Sequence, residues 1–123
     1  MSVTGALTLR TDAAATELGP AVHELVTRQI DVDEFVDRFL ASRVYALCPV
    51  RPGLFIMSRP GAAPIVPVWS TVRALRRVTG GFGWLACTGA DLVVQLPDGV
   101  AILIDDGLPC PIALPSSVLP KHR

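Results

Sequence analysis

Ile65-Val66-Pro67-Val68-Trp69-Ser70-Thr71-Val72-Arg73-Ala74-Leu75-Arg76-Arg77-Val78 changes its period halfway along. The first five residues are an apolar run of strand length. After Ser70 the polar residues fall three and four apart, with Arg73, Arg76 and Arg77 on one face of a helix. The segment therefore predicts a strand over 65–69, a capping serine at position 70, and a helix over 71–78 that Gly80 and Gly81 stop. Pro64 and Pro67 deny the strand two backbone donors, which predicts an edge position or a bulge.

Upstream of this junction the texture is helical. Pro20 suits the first turn of a helix carrying Val22, Leu25 and Val26, and a second helix is expected to open at Asp31 to Asp33, where carboxylates cap free amides. Phe35, Val36, Phe39 and Leu40 form its core face, with Asp37 and Arg38 outward. From Val44 onward short apolar runs alternate with Pro and Gly, the punctuation of strands and turns. Val44 to Cys48 and Leu54 to Met57 read as a hairpin across Arg51-Pro52-Gly53. Trp84 to Thr88 reads as another strand. Asp91 to Leu96 and Val100 to Ile104 read as a hairpin across Pro97-Asp98-Gly99, with a short strand at Ile112 to Leu114 and a last helical turn from Ser116. Helices first and strands after, with one helix among them, predict an α+β fold: a mixed or antiparallel sheet with helices packed mainly on one face. Residues 1–14 are expected to be a flexible lead-in, 15–119 a single α+β domain and 120–123 a tail.

Length and composition agree with one packed domain. The chain has 123 residues, half of them hydrophobic and 18% charged, with a mean hydropathy of +0.48. Eleven basic and eleven acidic residues cancel, which removes the long-range field of a general nucleic-acid or anionic-membrane binder. Pro97, Asp98 and Gly99 break the most hydrophobic stretch, so no membrane span is expected. The N-terminus lacks a basic segment followed by a long apolar one, and Cys48, Cys87 and Cys110 are odd in number without paired spacing. A cytoplasmic protein with reduced thiols and no structural zinc is the expectation.

Catalytic chemistry has few carriers. Cys48 and Cys87 lie in apolar runs and read as small buried hydrophobes. Cys110, in Gly107-Leu108-Pro109-Cys110-Pro111, is the best nucleophile candidate, but the two histidines, His23 and His122, are remote in sequence. Asp105-Asp106-Gly107 reads as a turn before it reads as a cation site. The acids Asp31, Asp33, Glu34 and Asp37 read as capping and solvated positions. Gly80-Gly81-Phe82-Gly83 follows a helix and precedes a strand, the reverse of a phosphate-binding loop. No catalytic residue, metal or cofactor is assigned. Arg73, Arg76 and Arg77 are the one concentrated positive feature, bracketed by Trp69, Phe82 and Trp84, and aromatic residues beside arginine are common anchors of protein interfaces. These six residues form the candidate partner-binding set, for a protein partner or for self-association. The alternative is a small-molecule-binding domain or small enzyme using Cys110 or the Asp105/Asp106 pair.

Residues 35 to 119 together resemble the N-terminal domain of the SseB family of bacterial proteins. The resemblance lies in Phe35 to Val44, Ile65-Val66-Pro67-Val68-Trp69-Ser70, Gly89-Ala90-Asp91-Leu92, Leu96-Pro97-Asp98-Gly99-Val100, Ile104-Asp105-Asp106-Gly107 and Leu114-Pro115-Ser116. Trp69 stands where many relatives carry an aromatic such as Phe, and Asp105-Asp106-Gly107 where some have Asn-Pro-Gly. These are turn and core signatures, so the resemblance implies a fold and, by analogy with related domains beside secretion and toxin-immunity genes, an accessory or adaptor role.

Overall fold

The computed structural model describes residues 16–48, 53–80 and 83–120. Strand β1 (Thr16–Glu17) precedes helices α1 (Gly19–Val26) and α2 (Val32–Ala41), and α2 runs directly into β2 (Ser42–Leu47). Then come β3 (Met57–Arg59), β4 (Ala62–Trp69), α3 (Val72–Thr79), β5 (Trp84–Thr88), α4 (Gly89–Gln95), β6 (Ala101–Ile104), β7 (Ile112–Leu114) and a 3-10 turn at Ser116–Val118. The expected α+β class is observed, and the sheet is mixed: β1 with β2 and β4 with β6 are parallel, the other pairings antiparallel.

Register fixes the order of the strands. Tyr45 and Ala46 of β2 pair with Ala86 and Leu85 of β5, and also with Trp69 and Val68 of β4. One residue cannot pair twice on one edge, so β5 and β4 flank β2 on opposite sides. The same reasoning at Val68, which pairs with Ala46 and Ile104, puts β6 beyond β4. The main path is β5, β2, β4, β6, β7, with β1 and β3 filling the edges of β2 and β4 that the long strands leave open.

Strand alternation then divides the sheet into two faces. Val44, Ala46, Val66, Val68, Ile102, Ile104 and Leu114 join Phe35, Phe39 and Leu92 in the main core, so α1, α2 and α4 cover that face. Tyr45, Trp69, Ala74 and Leu75 make a smaller core on the other face, under α3 alone. Helix α2 is fixed at both ends. Asp31 accepts a hydrogen bond from the Glu34 N–H at 2.8 Å, and the buried Ser42 hydroxyl donates to the Arg38 carbonyl at 2.7 Å. Arg38 also forks onto both Glu24 oxygens of α1 at 2.9 and 3.3 Å, a hydrogen-bonded ion pair that holds the Glu24 carboxyl below its usual range.

Both expected hairpins are corrected. The 44–48 strand does not pair with 54–57, because β5 and β4 occupy the edges of β2; β3 instead turns through Pro60 and Gly61 onto β4. Of the turn expected to join the two, Arg51 and Pro52 lie outside the described residues. Residues 89–95 are helical, where a strand was expected at 91–96. The valines favour a strand locally, but Leu92, Val93 and Leu96 are buried while Val94 is 68% exposed. That is the spacing of a helix face, and a strand would have put Val94 with Leu92 and Leu96. Thr88 begins the helix by accepting from the Asp91 N–H at 3.1 Å.

Pro67 is buried in an interior strand, against the expected edge position, yet it breaks no ladder. On that side of β4, pairing with β3 ends at Ile65 and pairing with β2 starts at Val68, so Pro67 falls in the gap between two partners. Pro64 lies within the β3–β4 stretch where the register shifts, a bulge as the sequence suggested.

Gly89 sets the distance between α4 and α2. A Cβ at this position would stand 2.2 Å from the Phe39 carbonyl oxygen and 2.8 Å from the Phe39 ring. Backbone cannot yield as a flexible side chain does, so Gly89→Ala is expected to destabilise the fold by about 3 kcal/mol, read as a lowered midpoint in urea unfolding. An unchanged midpoint would mean that the two helices are not in this close contact.

Candidate interaction surface

The second face of the sheet is built around the junction from β4 to α3. Trp69 is 2% exposed and its indole N–H donates to the Asp106 carbonyl at 3.1 Å. Ser70 does not cap α3, as its position suggested. Thr71 does, accepting from the Ala74 N–H at 3.0 Å. Ser70 instead donates its backbone N–H to the Asp105 carboxylate at 2.9 Å and points its hydroxyl at the same group at 3.2 and 3.0 Å. Asp105 is 7% exposed and adopts φ +59°, a left-handed conformation that Asp tolerates better than most residues. Its own N–H donates to the Val68 carbonyl at 2.8 Å. The turn after β6 is thereby fastened to the start of α3 through both main chain and side chain.

The far end of α3 is fixed by sterics. Gly80 takes φ +79° at the C-cap and its N–H donates to the Arg76 carbonyl at 2.9 Å. Gly107, at φ +86°, lies so close to α3 that a Cβ would stand 3.0 Å from a Val78 methyl. Ala74 and Leu75 face inward, and Arg73, Arg76 and Arg77 are exposed on the opposite side. Among the described residues these three arginines make no ion pair.

The structure brings most of the expected set together, in two layers. Trp69 is a correction: it supports α3 from beneath and offers no surface. Trp84 is half-buried in the same second core and meets Tyr45 edge to face, centroids 5.7 Å apart at 76°. Phe82 lies outside the described residues. The arginines alone form the outer layer. Asp105, whose carboxylate is spent on Ser70, was legible only as part of a turn; nothing in sequence marks a contact across 35 positions.

Among the described residues, the groups of the alternative chemistry are not gathered in either of two grooves. Cys48 is exposed, contrary to the buried position expected of it, and Cys110 is exposed as its loop suggested. Cys87 is packed against the main core, where burial, with a smaller push from Asp91, raises its thiol to about 12. Among the described residues no three His, Cys, Asp or Glu side chains converge as metal ligands. An open groove of about 500 Å³ is lined by Glu17, Pro20, Asp37, Arg38 and Ala41. A second, of about 270 Å³, lies between α2 and residues 118–120. Neither includes Cys110, Asp105 or Asp106. No helix among the described residues is long and apolar enough to cross a membrane. Compared with known proteins, the chain has no matching family model, no matching curated protein and no matching solved structure.

Two outcomes test this geometry. Asp105→Ala strands the Ser70 donors and strains a left-handed position, and is expected to cost about 3 kcal/mol in urea unfolding. Asp105→Asn, which keeps an acceptor and tolerates φ > 0, should cost clearly less; equal losses would assign the effect to charge alone. Under native conditions a maleimide should label Cys48 and Cys110 quickly and Cys87 only on unfolding, counted by intact mass.

Proposed function

We propose that this chain is an intracellular, non-catalytic protein-interaction module with an SseB-like fold, and that α3 is its contact element for an acidic partner surface. The observation that carries the reading is the outer strip of α3. Arg73, Arg76 and Arg77 are exposed together and without an ion pair among the described residues, on a helix pinned at both ends. Pinning matters because an ordered helix has already lost the freedom that binding would otherwise cost.

Magnitudes restrict the partner. Three cations near an anionic surface contribute about 1 kcal/mol each, roughly 3 in all, short of the ~4 that corresponds to millimolar affinity. A charged polymer or lipid surface met by these arginines alone would be held too weakly. A folded partner adds hydrogen-bonded carboxylates and apolar contact, and the half-exposed Val78 lies on the same helix to receive the latter.

The test is a pull-down of tagged chain from its native host, compared with the variant carrying Arg73→Glu, Arg76→Glu and Arg77→Glu. One dominant protein partner should be recovered and lost in the variant, whose circular dichroism should match the parent. A partner retained by the folded variant would remove α3 as the contact.

A further inference from the structure

We propose that the outer edge of β5 is a self-association site, where β5 of a second copy pairs antiparallel about a two-fold axis at Ala86. This proposal does not depend on the role given to α3.

The outward groups of β5 follow from the ladder. Cys48 N–H donates to the Gly83 carbonyl at 3.0 Å, and these two residues continue the register in which Leu47 meets Trp84. In an antiparallel pair, hydrogen-bonded and non-bonded positions alternate. Leu85 and Cys87 therefore turn their main-chain groups toward β2, while Trp84, Ala86 and Thr88 turn theirs away from it. A second route gives the same answer. Asp105 N–H reaches the Val68 carbonyl, so Val68 faces β6 and its neighbour Trp69 faces β2. Trp69 pairs with Tyr45, whose groups thus point to β4 and not to β5, leaving Ala86 opposite it without a partner on β2. Among the described residues no strand pairs with that outer edge.

The other short or outlying strands are protected in ways that β5 is not. β7 has three residues between Pro111 and Pro115, β3 carries Arg59 and a register shift before Pro60, and β1 has two residues. Short length, charge, proline and bulges are the usual means of keeping an edge from pairing. β5, Trp84-Leu85-Ala86-Cys87-Thr88, has five residues, no charge, no proline and an unbroken register.

Self-pairing suits this edge because it is the same read from either end. About Ala86, the Ala86 N–H and carbonyl of each copy exchange hydrogen bonds with those of the other. Thr88 N–H meets the partner's Trp84 carbonyl, twice by symmetry. The Thr88 carbonyl is not needed, since an N-cap carbonyl already serves its helix. Leu85 of one copy lies beside Cys87 of the other on the core face. No like charges meet anywhere along the strand.

Sedimentation of the whole chain from about 1 µM to about 1 mM, with residue-resolved amide exchange at both ends of the range, tests this. A dimer is expected, with the Ala86 and Thr88 amides protected only at high concentration and Leu85 and Cys87 protected at both. Ala86→Pro removes a donor that β2 does not use and, counted twice by symmetry, should weaken the dimer at least about tenfold. A chain that stays monomeric at the highest concentration, or a dimer in which Ala86 and Thr88 still exchange freely, overturns the proposal. The exchange result on the unaltered chain decides this even if Ala86→Pro fails to fold.

Discussion

The second face of the sheet depends on one carboxylate. Asp105 sits past the end of β6, almost out of solvent, and accepts from Ser70 at the end of β4. A carboxylate taken from water without partners costs several kcal/mol, whereas here a main-chain donor and a hydroxyl converge on it. The clamp forces the chain leaving β4 to turn across the sheet at Ser70, so α3 starts over Trp69 and Tyr45 and shields them. Without it, that small core would be a single helix lying on an aromatic surface, with no specified entry angle.

Much of this organisation was legible in the chain, and the failures share a cause. Asp31 as a cap, the core face of α2, the run from β4 into α3, β5, β7 and the last turn could all be read because each is a local matter of spacing and capping. The α4 region could not be read as easily. Leu92-Val93-Val94 has strand-forming residues, and only the burial of Leu96 with Leu92 and Val93 reveals a helix. The first hairpin failed for a related reason: sequence adjacency favours β3 as the neighbour of β2, but β5 pairs along Arg43 to Leu47 on one side of that strand and β4 takes the other. Pro67 misled because proline implies an edge, while the sheet provides a gap between two partners that the sequence does not announce.

The candidate surface divides in the same way. The arginine strip was visible as three-and-four spacing, and the structure leaves it outward. The tryptophans flanking it were equally visible, but their burial depends on which face of the sheet α3 covers, a tertiary fact. Cys48 shows the converse, since the strand ends at Leu47, one residue before the apolar run reaches Cys48. What the sequence lacked altogether was the tie between Ser70 and Asp105, residues with no local relation.

The parallel pairing of β4 with β6 also governs the order in which the chain can gain structure. These strands meet across roughly 36 residues, and β2 likewise waits for β5 across about 40, so the loop-closure cost precedes any reward from the sheet. A chain growing from its N-terminus holds β2 and β4 before β5 and β6 exist, so the far edge of each strand is still open. Their apolar face, Val44 with Ala46 and Val66 with Val68, can meet the helices α1 and α2 that precede it, but α4, the third helix over that face, arrives only after β5. The last quarter of the sequence, which carries little of the candidate surface, supplies β6 and β7 and so completes the sheet that the first three quarters begin.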